Sequence, residues 1–293
     1  MTRDYAYFPG CSLRGTGAEF AESLEAVFKQ LGLTLEELPD WNCCGATSGH
    51  SVAPKTALAL CMRNLAQAAA TGKPLVVPCA ACYHNLRAAR LAAAEGDPEL
   101  VESALAAKRE VLAAVQILHP LEVLTSREAL ADVRTKVTER LSGFRVVSYY
   151  GCLLSRPPKA VQFDDTENPM RMDTLVGALG AETIDWSWKV DCCGGNFALG
   201  APAVTVDLVS KILSAAEDAG ANAIAVACPL CHANLDMRQF EVSKKLRRKV
   251  EVPIFYFTEL MGIAFELPRA EKWLKKHITT PFPVVDEALG LDR

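Results

Sequence analysis

The sequence lacks the marks of several large functional classes. No apolar run reaches the ~20 residues that a membrane-spanning helix requires; charge, proline or glycine interrupts each one first. The opening MTRDYAYFPG has no basic start followed by an apolar stretch, so no secretory leader is expected and the cytoplasm is the expected compartment. Positive charge is not in excess. The net charge is -4, which argues against nucleic acid as the main partner, because phosphate binding needs clustered lysine and arginine. Neither a C-x2-C-x2-C-x3-C-P run nor a G-x-G-x-x-G fingerprint occurs, so the chain carries no signature of an ordinary cubane cluster or of a dinucleotide fold.

What the sequence has is cysteine. Eleven occur in 293 residues. Disulfides are disfavoured in a reducing compartment. A chain that is half apolar can bury a sizeable core and does not need covalent staples. Metal or cluster binding is the better explanation.

With Cys61 set aside, the cysteines form two sets of five. Cys11, Cys43, Cys44, Cys79 and Cys82 read C-x31-CC-x34-C-x2-C; Cys152, Cys192, Cys193, Cys228 and Cys231 read C-x39-CC-x34-C-x2-C. The surroundings repeat as well. YAYFPGC (5–11) matches VVSYYGC (146–152), WNCCGA (41–46) matches VDCCGG (190–195), and PLVVPCAACYHNL (74–86) matches AIAVACPLCHANL (223–235), with Asn85 against Asn234. A repeat of this length indicates two similar domains. They are expected at about 1–142 and 143–267, each with its own core, followed by a tail at 268–293 without a counterpart.

Short β-branched and aromatic runs precede Cys11 and Cys152 and read as strands. Phe20, Leu24, Val27, Phe28 and Leu31 share one helical face, and Gly32 ends that helix. Leu33–Leu38 and Glu182–Trp188 read as strands running toward the CC pairs. A helix is expected over about Lys55–Ala70. PLVVP and AIAVA read as buried strands entering the C-x2-C pairs, and VQIL (115–118) and PIFYF (253–257) as fourth strands. The alternation predicts an α/β fold: in each half, a small parallel sheet of about four strands flanked by helices. Every cysteine segment then lies past the carboxyl end of a strand, where such sheets gather ligands.

A structural zinc takes four ligands, often from two C-x2-C pairs. Each set here has one such pair, an adjacent CC and a fifth cysteine, so a larger or more open cluster fits better, with zinc at one site still possible. Cys61 shares a helix face with Leu58, Met62 and Leu65 and reads as a buried apolar residue.

At these residues the sequence resembles the CCG-domain proteins, and among them the B subunit of heterodisulfide reductase. The resemblance covers nearly the whole chain, including HPLEVL (119–124), FDDTENP (163–169) and ACPLCHANLD (227–236). It implies that each set of five binds a noncubane [4Fe–4S] cluster, and that a disulfide is reduced or formed between the two clusters. It implies, too, membership of a complex that exchanges electrons through a C subunit with cubane iron–sulfur clusters and a flavin-bearing A subunit. The first CC is followed by Gly45-Ala46, where a proline is expected in methanogen members. The substrate is therefore open between a small-molecule disulfide or thiol and a lipoate-bound one, as in the related sulfur-oxidation complexes. A non-catalytic electron-transfer subunit and a zinc-stabilised interaction module are the alternatives.

His50, His84 and His232 lie near the cysteines and are the candidate catalytic proton donors, weighed against a structural role. His119 is expected to orient a loop before a helix. Lys189 and Arg156 could shape an anionic pocket, although a solvated surface is the usual place for such residues. The basic run KKLRRK (244–249) is either a solvated helix face or a docking point for an acidic partner. The tail WLKKHITTPFPVVDEALG (273–290) mixes apolar residues with proline and is expected either to fold onto a partner or to be disordered.

Overall fold

The computed structural model describes residues 2–46, 49–95 and 108–291. Two all-parallel four-stranded sheets form its centre. The first holds β1 (Asp4–Tyr7), β2 (Thr34–Glu37), β3 (Leu75–Val76) and β4 (Ile117–Leu118) in the order β2-β1-β3-β4. The second holds β5 (Arg145–Tyr149), β6 (Glu182–Thr183), β7 (Ala223–Val226) and β8 (Ile254–Tyr256) in the order β6-β5-β7-β8. The two orders are the same topology used twice. Central strands are apolar on both faces, as parallel strands covered by helices must be: Tyr5, Ala6 and Tyr7 of β1 and all four residues of β7 are buried.

The expected α/β architecture is present in both halves. Some strands are shorter than their apolar runs suggest. Only Glu182 and Thr183 pair as strand in the stretch ending at Trp188, although Ile184 N still donates to the Val146 carbonyl.

The helix Ala18–Gln30 turns Phe20, Leu24, Val27 and Phe28 inward, and Gly32 follows it at φ +66°. Part of that inward face meets the other half of the molecule. Phe20 stacks on Tyr256 with ring centroids 4.3 Å apart, and Ser23 Oγ lies 2.6 Å from Thr258 Oγ1. The expectation of separate cores is therefore not met: one continuous apolar cluster runs through both sheets. Burying two faces against each other removes apolar surface that each small sheet would otherwise leave in water.

The tail folds onto this chain itself. Helices Ala270–Leu274 and Phe282–Leu289 lie within it. Trp273 is fully buried and packs so closely on Gly262 that a Cβ there would sit 2.6 Å from the indole ring. Its Nε1 donates to Glu22 in the first half.

Candidate metal centres

All ten paired cysteines sit beyond the carboxyl ends of strands. Cys11 follows β1, Cys43 and Cys44 lie in the loop after β2, and Cys79 and Cys82 open the turn and helix after β3; the second set repeats this after β5, β6 and β7. Within each set the thiols converge. Cys44 Sγ is 3.2 Å from Cys82 Sγ, and Cys193 Sγ is 3.5 Å from Cys231 Sγ. A disulfide needs about 2.05 Å, and every cysteine is free.

The backbone is shaped for this crowding. Gly10 and Gly151 each take φ +70°, and a Cβ at either would come within 2.9 Å of the last thiol of its set, Cys82 or Cys231. Only glycine accepts both the angle and the approach. After each CC pair a second glycine turns its N–H back on the chain: Gly45 N is 3.4 Å from Cys43 Sγ, and Gly194 N is 3.3 Å from Cys192 Sγ. Asn85 Nδ2 donates to the Cys44 carbonyl at 3.3 Å and approaches its sulfur at 3.6 Å; Asn234 does the same for Cys193 at 3.0 and 3.7 Å.

Crowded thiols shift one another's pKa values in opposite directions. The neighbouring Cys82 thiol lowers the Cys44 pKa to about 7, and the Cys152 thiol lowers Cys192 to about 6. Cys228 is held well below the usual thiol value by Cys231 and Cys79. Cys82, Cys79 and Cys231 are pushed up correspondingly. Thiolates are soft ligands for iron or zinc, and a set of converging, unbridged thiols with N–H donors at their sulfurs fits a metal cluster.

The two sets also meet each other. Cys79 and Cys228 influence each other across the junction of the halves, Cys79 held above and Cys228 below the usual thiol pKa. Buried beneath them, His119 Nε2 lies 2.9 Å from the Pro78 carbonyl and 3.3 Å from that of Ala227, the residues just before those two cysteines. Its Nδ1 accepts from Leu121 N at 3.2 Å, which assigns the proton to Nε2. Burial lowers its pKa to about 4, so the ring stays neutral. His119 stands before a helix, as expected, and caps it, but its span across both sets depends on the docking of the halves, which no local pattern reports.

A cavity of about 120 Å³ lies against the five thiols of the second set. Leu153, Phe197 and Leu230 supply apolar walls, Tyr150 contributes an aromatic one, and Ala80 reaches it from the first half. No acidic or basic side chain among the described residues lines it.

The other candidates are placed as follows. The His50 side chain lies outside the described residues. His84 Nδ1 is 3.1 Å from the Arg156 carbonyl, so it links the two halves. His232 is buried, with Nε2 3.1 Å from the Ile254 carbonyl and its ring stacked on Tyr256 at 4.2 Å; burial holds its pKa well below the usual value. Neither His84 nor His232 lines the cavity. Lys189 is buried beside Asp173 and Asp185, each at 3.3 Å, and its carbonyl accepts from Tyr150 N and Gly151 N, which fixes the turn entering Cys152. Arg156 pairs with Glu167 at 2.6 Å. Neither cation lines the cavity. Cys61 is buried as expected and has a second feature: its Sγ lies 3.1 Å from the Cys44 carbonyl, so it backs the first CC loop.

Comparison with known proteins agrees with this duplicated geometry. The chain is 30% identical over 279 residues to the 8-methylmenaquinol:fumarate reductase membrane anchor subunit of Wolinella succinogenes, covering 95% of this chain and 98% of that one. It is 27% identical over 264 residues to the B subunit of a ferredoxin/F420H2-dependent CoB–CoM heterodisulfide reductase from Methanosarcina acetivorans, covering 88% and 87%. A hypothetical protein from Helicobacter pylori shares the fold at 14% identity and a TM-score of 0.71; the match covers 96% of this chain, which spans about half, 52%, of that one. The cysteine-rich CCG domain matches twice, at residues 5–87 and 146–236. This chain belongs to the CCG cysteine-rich domain family and carries two copies of the domain.

Proposed function

We propose that the chain is the redox subunit of an oxidoreductase complex. In this reading Cys11, Cys43, Cys44, Cys79 and Cys82 hold one noncubane [4Fe–4S] cluster, and Cys152, Cys192, Cys193, Cys228 and Cys231 hold another. Electrons pass between partner subunits and an uncharged two-electron ligand of the quinol class beside the second set. The observation that carries the choice of ligand is the lining of that site: beside the five thiols that would hold the cluster stand Leu153, Phe197 and Leu230, and no charged side chain. A ligand bearing sulfonate, carboxylate or phosphate groups needs cationic partners once it leaves water. A flat apolar ring does not. The Wolinella relative, which aligns with this chain almost end to end and has a quinol in its name, supports the same choice.

When bound, an iron–sulfur cluster supplies reversible one-electron transfer. The chain's own residues set the conditions for it. The N–H donors of Gly45, Gly194, Asn85 and Asn234 at the sulfurs withdraw electron density and favour the reduced state. His119 holds the two sets at a fixed spacing, and the apolar walls keep water from the ligand.

The second reading is a disulfide oxidoreductase, favoured by the heterodisulfide reductase B subunits among the relatives. Its ligand is a small-molecule or lipoate-bound thiol–disulfide pair, and its electron partners are the C subunit and the flavin-bearing A subunit. An anaerobic sample titrated with a soluble menaquinol analogue, and separately with a thiol and its disulfide, separates the two by electron paramagnetic resonance. We expect the quinol analogue alone to change the cluster signals, and Leu230→Arg to remove that change with iron content retained. A response confined to the thiol or disulfide establishes the second reading. Silence toward all of them leaves a closed electron carrier, and zinc in place of iron rejects the clusters.

A further inference from the structure

Two histidines and a glutamate meet in the interior, outside the two thiol sets. His232 lies on the helix Pro229–Met237, Glu259 on the helix Phe257–Ala264, and His277 in the tail. One donor atom of each lies within 4.8 Å of those of the other two. His277 Nε2 is 3.0 Å from Glu259 Oε1, and the two imidazole rings stand edge-on with centroids 4.8 Å apart. The His277 and Glu259 side chains are fully buried, and His232 is 5% exposed. Solvent therefore does not satisfy this cluster.

Protein partners do not satisfy it either. His277 Nδ1 is buried and has no hydrogen-bond partner among the described residues. His232 Nε2 lies against the Ile254 carbonyl, which accepts only, so Nε2 carries the proton and Nδ1 keeps its lone pair. Glu19, on the helix Ala18–Gln30 of the first half, adds a second carboxylate. It is 6% exposed and feels the charges of Glu259 and His277. Among the described residues no lysine or arginine pairs with Glu19 or Glu259; Lys276, beside His277, pairs with Glu22 instead. Two buried carboxylates against one imidazole leave negative charge unmatched, which is costly away from water. A divalent cation would answer both the charge and the open nitrogens. Two imidazoles and a carboxylate are a zinc ligand set, and one more carboxylate completes four. Imidazole nitrogens in the set disfavour calcium and magnesium, which take oxygen.

We infer that His232, Glu259 and His277 bind a divalent transition-metal ion, zinc by preference, with Glu19 as the further carboxylate. The ion ties together the helix that carries Cys231, the helix that follows β8, the tail and, through Glu19, the first half. Its role is structural: it holds the tail down and fixes the helix bearing the last thiol of the second set. None of the ten paired cysteines is used, so the inference stands apart from the quinol reading. Protons compete with the ion for these ligands, and in the zinc-free chain the His277–Glu259 pair holds a proton instead.

The test equilibrates the full, anaerobically prepared chain with zinc chloride, removes unbound ion by gel filtration, and counts zinc and iron on the same sample. About one zinc per chain is expected, with iron content unchanged. Zinc X-ray absorption should show only nitrogen and oxygen ligands, at about 2.0–2.2 Å; a sulfur shell near ~2.3 Å puts the ion at the cysteines and overturns the inference. His277→Gln and Glu259→Gln should each weaken zinc binding by at least the ~10–100-fold that loss of an outer-shell partner costs. Unchanged iron content and circular dichroism show that the variants are folded. If either variant fails to fold, the absorption spectrum of the unsubstituted chain decides alone. Zinc should also slow hydrogen exchange across the tail in the unsubstituted chain and not in His277→Gln, because an ion bound only by the closed form stabilises it. A chain that retains no zinc overturns the inference, as does zinc that both variants keep.

Discussion

The two halves of this molecule share a scaffold and differ in what surrounds their thiols. Sheet order, thiol spacing, glycine angles and the asparagine contacts to sulfur all repeat. The residue after the first cysteine is Ser12 in one half and Leu153 in the other, and the one before the last cysteine is Ala81 against Leu230. Leu153 and Leu230 are walls of the second cavity. Duplication thus kept the converging thiols and the groups that contact them, and changed residues that stand beside them. This is the division expected if the proposed ligand reacts at the second set and the first set relays electrons.

The largest effect should come from breaking one half at a time. Cys44→Ala and Cys193→Ala remove equivalent thiols, one from each half. If each set holds its own four-iron cluster, each variant should lose about half of the iron, measured colorimetrically on anaerobic samples. Loss of nearly all iron from either variant would show that the shared core couples the sites. A smaller and more selective effect is expected from exchanging the ligand-side residues. Leu153→Ser should weaken the spectral response to a quinol analogue several-fold, whereas Ser12→Leu should leave it unchanged; a response that follows Ser12 instead reverses the roles of the halves.

The sequence showed the repeated scaffold well and the difference between the halves poorly. Thiol spacing and short apolar runs are local signals, and they were enough for two parallel sheets with cysteines at their carboxyl edges. The docking of the halves is not local. Phe20 reads as part of an amphipathic helix facing its own sheet, and nothing near it announces that it stacks on Tyr256. His119 reads as orienting a loop before a helix; it caps that helix, and its second role needs Ala227, more than a hundred residues away. Lys189 is of a residue type usually found in water and is nevertheless buried, paired there with Asp173 of the helix Arg171–Ala178. His232 drew notice for its place after Cys231, yet the helix turns its ring onto Tyr256, away from the cavity walls.

Equivalence of the scaffold can itself be tested. Gly10 and Gly151 have the same φ and the same distance from a thiol, so Gly10→Ala and Gly151→Ala should destabilise the protein by similar amounts. The left-handed angle alone costs about 1–2 kcal/mol, and displacing a sulfur adds to that. Denaturant unfolding of the two variants should show comparable losses; a strong asymmetry would mean that one thiol set can shift and the other cannot.

The subtlest asymmetry is that only the second half continues into a tail, which packs on both halves and is held in part by a buried histidine–carboxylate pair. His277 Nε2 lies 3.0 Å from Glu259 Oε1, and both side chains are fully buried. Burial by itself lowers the His277 pKa, but the Glu259 carboxylate outweighs it, helped by Asp236 and Glu19, and the net shift is upward. A histidine whose folded pKa exceeds its unfolded value adds stability that is complete below the unfolded value, near 6.5, and fades as pH rises through the folded one. Opening of the tail, followed by hydrogen exchange at Trp273 to Leu289, should therefore become easier from mildly acid to mildly alkaline pH, after correction for intrinsic exchange. His277→Gln keeps a hydrogen-bond donor for Glu259 but cannot take up a proton, so it should flatten that dependence. A pH slope that survives the substitution would assign it to another group and leave the tail held by the Trp273 packing alone.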